Sequence, residues 1–236
     1  MSPRQGNLIG TAEPGHAREA FGRRYDPALM QHARERSWVA LRAIAARMHP
    51  GISEDEARRE ALDVFQQLGC QKIWHPVLIR IGANTKKTWR QKSDPAVRLG
   101  EHDSYFIDLG LVFAGHEGDV GDTFVVGDAP QRQACADAAR ALFHEVAAAW
   151  RTHGLSGHAL YVFADERAAA MGWRLNHAVK GHRVSDFPHA LHKGGELGTL
   201  DARPAAGRWI LEIQLAHRSE PFGAFYEDLL DHTPPA

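Results

Sequence analysis

Tyr105-Phe-Ile-Asp-Leu-Gly-Leu-Val-Phe113, followed after Ala114-Gly-His-Glu-Gly118 by Asp119-Val-Gly-Asp-Thr-Phe-Val-Val126, is the stretch that decides the fold. Both runs are rich in β-branched and aromatic residues, and the glycine-containing link between them marks a hairpin. Each run carries an aspartate, Asp108 and, eleven residues later, Asp119, which places the two side chains nearly opposite one another on adjacent strands. Two like charges so placed repel, and an ionised carboxylate in an apolar strand is costly unless a partner compensates it. A divalent cation between them removes the repulsion. The plainer alternative is that one of the pair is hydrogen-bonded to turn amides. The same tension recurs in Trp209-Ile-Leu-Glu-Ile-Gln-Leu215, where Glu212 sits in an apolar run with no cation nearby in sequence, unless the register turns it outward together with Gln214.

Working outward, the 236 residues are 44% hydrophobic with a formal net charge of -1, enough to bury one large core. The balance of charge gives no basic patch and so no reason to expect nucleic acid or an anionic membrane as partner. No window approaches the roughly 20 apolar residues of a membrane span, and no apolar leader is seen. Cys70 and Cys135 are far apart and form no CxxC pair, so neither a disulfide framework nor a zinc knuckle is expected. A cytoplasmic protein is the expectation.

Residues 1–24 are polar and rich in Gly, Pro and Arg and read as a flexible arm or partner-contacting segment, with the folded domain spanning 25–236. Apolar spacing predicts a helix from Pro27 to Met48. Ser53 followed by Glu54, Asp55 and Glu56 is a helix start, with an N-cap hydroxyl and acids in the first turn. After Gly69 the pattern turns to strands: His75–Ile81, the hairpin, segments near 179–192 and 208–216, and Gly223–Leu230, with helices over 130–150 and 156–171 between them. The expectation is an α+β domain.

His182 and His189 flank Arg-Val-Ser-Asp-Phe-Pro, and Glu227 lies in the last strand. A lone histidine is usually a core or surface residue; two near a cluster of carboxylates raise the case for metal or proton chemistry. The ordered set, Asp108, Asp119, His182, His189, Glu212 and Glu227, resembles the pita-bread metallopeptidases: methionine aminopeptidase, aminopeptidase P, prolidase and creatinase. Phe106-Ile-Asp-Leu-Gly110 is similar to that family's first aspartate strand, Asp119-Val-Gly-Asp-Thr-Phe-Val-Val-Gly127 to its D-x-T-R-T-F-x-x-G segment, Gly181-His-Arg-Val-Ser-Asp-Phe-Pro-His189 to G-H-x-x-G-x-x-x-H, and Pro50-Gly-Ile-Ser-Glu-Asp-Glu56 to P-G-x-[ST]-E-x-E. The likeness runs over about 25–236, one catalytic domain, and implies a curved antiparallel sheet with helices on its outer face.

The resemblance implies a dinuclear centre. Asp108 would chelate one metal, His182 and Glu212 would be terminal ligands of the other, and Asp119 and Glu227 would bridge. Such a hard, oxygen-rich set suits Mn²⁺, Fe²⁺, Co²⁺ or Zn²⁺. The implied reaction is cleavage of a peptide or amide bond by a metal-bridging hydroxide, with His189 donating to the substrate carbonyl and Glu212 passing a proton. Short peptides or small molecules would be the substrates, and a homodimer is suggested only by the family. The chain also departs from the family pattern. Where the peptidases carry another histidine after G-x-N, this chain has Lys87, Thr88 and Trp89, leaving His75 as a replacement, with His75 and Trp89 both expected to contact substrate. Ser185, Ile213 and Asp122 also replace family residues, and are expected to alter the pocket wall. The missing histidine and the segment Asn84-Thr-Lys-Lys-Thr-Trp89, a cationic and aromatic rim, favour, as an alternative, a relative acting on a small anionic or zwitterionic molecule, as a creatinase-like C–N hydrolase or a lyase. A metal-free binding module is the third reading, against which the complete ligand set argues.

Overall fold

The computed structural model describes residues 17–188 and 195–232. In chain order its elements are helix α1 (Pro27–Ala45), α2 (Glu54–Gln67), strand β1 (Lys72–Ile73), β2 (Leu78–Ile81), β3 (Asp103–Phe113), β4 (His116–Val126), α3 (Pro130–His153), α4 (Gly157–Ala170), β5 (Arg174–Leu175), β6 (His182–Arg183), β7 (Trp209–Ala216) and β8 (Gly223–Leu229). One sheet runs β1-β3-β4-β8-β7-β5, with β2 paired to β3 and β6 to β7. Every pairing is antiparallel.

The hairpin is longer and its turn tighter than the sequence suggests. Ala114 and Gly115 both take positive φ, 48° and 72°, as a two-residue turn needs if it is to match the twist of the strands it joins. His116, Glu117 and Gly118, read from the sequence as turn, therefore belong to the β4 ladder. Asp108 pairs with Gly121 and Asp119 with Gly110, so the two aspartates are offset by two residues instead of facing each other directly. Because two is the strand period, both still point to the same face.

Alternation sorts the strand side chains into two sets. On β3, Tyr105, Ile107, Leu109, Leu111 and Phe113 pack with Leu41 and Ile44 of α1 and with Val64 and Phe65 of α2. On β7, Trp209, Leu211, Ile213 and Leu215 pack with Phe143, Val146 and Trp150 of α3 and Leu160 of α4. The helices thus cover one face of the sheet, and the intervening residues, Asp108, Asp119, Glu212 and Glu227 among them, occupy the other. Each fully buried large side chain on the helix face contributes about 1.5–3 kcal/mol of hydrophobic stabilisation.

Local chemistry sets the helix ends. Asp26 accepts from the Ala28 N–H ahead of α1, Ser53 and Glu56 form a reciprocal capping box on α2, and Ser156 accepts from the Ala159 N–H on α4. The strand expected near 179–192 reduces, within the described residues, to the two residues of β6; Gly181 enters it with φ of 65°. Residues 17–24, which the sequence assigns to the flexible arm, carry polar ties to the domain. The buried Glu19 carboxylate accepts from Trp209 Nε1 and the Ala205 N–H, both at 2.7 Å, and the Gly22 N–H donates to Asp186 at 2.7 Å. Residues 1–16 lie outside the described residues.

The helix face also holds a charge. Asp228, neighbour of Glu227 in β8, points to α1, where Arg34 meets it with Nε–Oδ1 at 2.7 Å and Nη2–Oδ2 at 2.6 Å, both side chains buried. Burial raises the Asp228 pKa while the guanidinium opposes the shift. Breaking such a pair strands a charge, so Arg34→Ala should cost about 3–5 kcal/mol in urea unfolding at neutral pH. Arg34→Met combined with Asp228→Leu should recover most of that loss. A single-variant loss below about 1 kcal/mol would mean that this pair does not anchor α1 on the sheet.

Candidate metal centre

The register aligns three of the carboxylates. Asp108 pairs with Gly121, Gly121 with Glu227, and Glu227 with Glu212, which makes one row running across β3, β4, β8 and β7. Asp119 stands two residues along β4 from that row, and His182 enters from β6, whose partner is β7. The row tolerates its crowding because one member has no side chain: a Cβ on Gly121 would lie 2.6 Å from the Phe225 ring and 3.0 Å from Glu227 Cγ. Gly110 clears space in the same way for His75, whose ring would come within 2.0 Å of an added Cβ.

All five ligands implied by the resemblance converge here. Asp119 Oδ2 lies 3.0 Å from His182 Nε2, and Asp119 Oδ1 lies 3.1 Å from His75 Nε2, which is itself 3.5 Å from Asp108 Oδ1. Two groups, His75–Asp108–Asp119 and Asp119–His182–Glu227, each bring one ligand atom per residue within 4.8 Å of the others, and Asp119 belongs to both. Glu212 accepts from the Gly181 N–H at 2.7 Å, and its backbone is held on both sides by the Tyr161 hydroxyl. Asp119 and Glu227 are each only 1% exposed, and Glu227 Oε1 has no hydrogen-bond partner among the described residues. An orphaned carboxylate oxygen buried among three further carboxylates is what a cation site requires.

Electrostatics reports the same crowding. Burial, then the Asp119 and Glu212 charges, push Asp108 up to about 7 against the pull of His75. Burial and the neighbouring carboxylates raise Glu227 well above the ordinary range, and burial with Asp119 raises Glu212. Burial would raise Asp119 as well, but His75 and His182 overcome it and hold Asp119 at about 2. The imidazoles show the reverse balance: burial would depress both, and the carboxylates, Asp119 foremost, carry His75 up to about 10 and His182 to about 9.

A cavity of about 430 Å³ opens onto this cluster, lined by Asp108, His182, Glu212 and Glu227 and by Trp74, Leu78, Trp89, Arg90, Val179 and Lys180. Trp89, expected to contact substrate, does line it, with the Arg90 guanidinium 4.8 Å from the centre of its ring. His75, also expected to serve the substrate, lines the cavity but sits against Asp119 and Asp108. His189, the expected catalytic histidine, lies outside the described residues.

The departures expected in the pocket wall are elsewhere. Ile213 alternates with Glu212 and belongs to the helix-side core, while Asp122 faces α3 and pairs with Arg140 at 2.8 Å. Ser185 is buried, its N–H donating to Glu117 Oε2 at 3.0 Å and its hydroxyl to Asp186 Oδ1. Ile213 is one residue from Glu212 and Asp122 three from Asp119, and with a strand period of two these odd separations turn both away from the site. The space made by Gly110 and Gly121 is not marked in the sequence; each glycine lies two residues beyond its strand's aspartate, a signal legible only once the register is known.

The chain matches the model of metallopeptidase family M24 over residues 28–208, which includes Asp108, Asp119 and His182. Comparison with curated protein sequences gives no match. Among solved structures it is similar to a prolidase from Pyrococcus horikoshii OT3 (18% identity, TM-score 0.71, covering 90% of this chain and 60% of that one). It is also similar to an X-Pro aminopeptidase from Thermotoga maritima MSB8 (15% identity, TM-score 0.71, covering 89% and 61%) and to a methionine aminopeptidase from Thermotoga maritima (14% identity, TM-score 0.64, covering 86% and 92%). The chain therefore spans about three fifths of the length of the first two. At these identities the likeness is one of fold, an antiparallel sheet with helices on its outer face.

Asp119 apart, the acids and imidazoles of this site shift in the same direction, which fixes a pH dependence. Without metal, the folded chain holds protons more tightly than the unfolded chain on Asp108, Glu212, Glu227, His75 and His182, so its stability falls as pH rises from about 4 toward 9–10. Asp119 works in the opposite sense, contributing stability above its unfolded pKa of about 4 that is lost toward 2. The melting temperature of chelator-treated protein should decline between pH 5 and pH 9, and Mn²⁺ should restore more of it at pH 8 than at pH 6. A melting temperature that climbs through this interval without metal would contradict the arrangement of charges described.

Proposed function

Because the chain belongs to metallopeptidase family M24, we propose that it is a metal-dependent hydrolase with a dinuclear centre that cleaves a peptide or amide bond. The observation that carries this reading is the row of carboxylates Asp108, Glu227 and Glu212, with Asp119 and His182 beside it and, within it, a buried Glu227 oxygen with no hydrogen-bond partner among the described residues. Asp108, Asp119, His182, Glu212 and Glu227 would hold two divalent cations, of the class of Mn²⁺, Fe²⁺, Co²⁺ or Zn²⁺. Bound there, the cations would supply Lewis acidity and a water made acidic enough to attack at neutral pH.

The rest of the chemistry falls to the chain's own groups. Glu212, which accepts from the Gly181 N–H at Oε2, is assigned the transfer of a proton to the leaving nitrogen. His189 is assigned the donation to the substrate carbonyl on the resemblance alone. Trp74, Leu78 and Val179 line the cavity with apolar surface, and by limiting water they strengthen each charge interaction inside it.

A second reading, a small-molecule substrate with an anionic group, is favoured by the cations within the cavity. Arg90 and Lys180 line it together with Trp89, and about 430 Å³ falls in the range of small-ligand sites. The cationic edge inferred from Asn84–Trp89 thus takes a different form: Arg90 and Lys180 line the cavity, whereas Lys86 donates to the Glu220 carbonyl. Under this reading Arg90→Ala should raise KM for carboxylate-bearing substrates about tenfold, with little change in kcat.

Elemental analysis of protein purified without chelator, then supplemented with Mn²⁺, decides the first point. About two equivalents per chain are expected, with metal and activity lost together in Asp108→Ala and Glu212→Ala. His189→Ala should keep the metal and lose turnover by a factor on the order of 10²–10³. A chain that retains no metal under either condition would sink the hydrolase reading, and activity in His189→Ala equal to that of the unaltered protein would sink the role given to His189.

A further inference from the structure

Asp119 presents one oxygen to each of two imidazoles, Oδ1 to His75 at 3.1 Å and Oδ2 to His182 at 3.0 Å. Resting on the two-cation reading above, we propose that His75 is itself a metal ligand, so that each cation carries one imidazole: His75 beside Asp108 and Asp119, and His182 beside Asp119 and Glu227.

Three observations support the assignment. The first is spacing. Ligand atoms bound to one ion at about 2.1 Å, with about 90–110° between bonds, lie roughly 3.0–3.4 Å apart. His75 Nε2 is 3.1 Å from Asp119 Oδ1 and 3.5 Å from Asp108 Oδ1, close to that span on both sides. The second is orientation. His75 Nδ1 lies 2.9 Å from the carbonyl oxygen of the next residue, Pro76, so Nδ1 carries the proton and the neutral ring keeps its lone pair on Nε2, facing the aspartates. His182 is fixed in the same manner: its Nδ1 lies 3.1 Å from the carbonyl oxygen of its own next residue, Arg183. Both rings also meet the Trp74 indole edge-on, with centroids 4.5 Å and 5.6 Å away. The third is accommodation, since the space the His75 ring occupies exists only because residue 110 has no side chain.

The consequence concerns where substrate can reach. An imidazole from His75 takes up a coordination position that solvent or substrate would otherwise use on the Asp108 side. The open positions are then left on the side of His182 and Glu212, both of which line the cavity together with Lys180. His75 in this role holds the metal, in place of the substrate contact expected from the sequence.

Cobalt provides a readout that does not depend on turnover. An imidazole bound to Co²⁺ gives a strongly shifted, solvent-exchangeable proton NMR signal from its remaining N–H. Protein loaded with two equivalents of Co²⁺ should show two such signals, one from His75 and one from His182. His75→Gln should remove one signal and weaken binding of one equivalent by at least about tenfold, while His182→Gln should remove the other. Two equivalents bound with a single signal that survives in His75→Gln would overturn the assignment and leave the hydrolase reading standing. No uptake of Co²⁺ would overturn both. The number of signals from the unaltered protein decides the matter even where a variant fails to fold.

Discussion

Repulsion among carboxylates forced into one row is the constraint on which the rest of this structure depends. Asp108, Glu227 and Glu212 are brought into line by the hydrogen-bond ladder itself, and the ladder cannot relax to separate them without losing its register. The glycine at position 121 keeps the row from being overfilled, and Asp119 stands beside it with an imidazole at each oxygen. Charge is held together here by a scaffold whose stability comes from elsewhere, an arrangement expected of sites whose strain serves function.

That stability resides on the opposite face. The helices α1 and α2 cover the hairpin, α3 and α4 cover the later strands, and alternate residues of the same strands serve the core and the site. Glu227 and Asp228 make the division concrete: adjacent in the chain, one joins the carboxylate row while the other is neutralised by Arg34 from α1. Because the period is two, a slip of one residue in β8 would exchange them, placing Asp228 in the cavity and Glu227 against a guanidinium positioned for a shorter side chain. The buried pair on the helix face thereby helps to specify the register on which the site depends.

Much of this is legible in the sequence where the signal is local. The hairpin, the capping box at Ser53 and Glu56, the helices after Pro130 and Ser156, and the strands carrying Glu212 and Glu227 all announce themselves through periodicity or cap chemistry. What the sequence conceals depends on distant partners. The offset of Asp119 from Asp108 rests on a turn only two residues long, in which Ala114 takes a φ that nothing in its side chain favours. The ties of Glu19 to Trp209 and of Arg34 to Asp228 each join residues about 190 positions apart through polar groups, and polar contacts leave no hydrophobic period to read. The substituted positions Ile213 and Asp122 show the same limit: proximity in sequence to a ligand says nothing about the face a side chain occupies until the strand is placed.

Charge counting links the site's two states. Asp108, Asp119, Glu212 and Glu227 together carry a formal charge of about -4 when fully ionised, and two divalent cations with neutral imidazoles would balance it. Without metal, the centre approaches neutrality by another route: His75 and His182 keep their protons up to about 10 and 9, Asp108 keeps its proton to about 7, Glu227 well above its ordinary range, and Asp119 alone is held at about 2 as the counter-ion of both rings. Protons and cations are therefore competing occupants of one electrostatic requirement, set by a low-dielectric pocket that does not tolerate several uncompensated charges. It follows that loading the centre must expel protons from imidazoles and carboxylates alike, so metal affinity and proton release are two readings of one equilibrium.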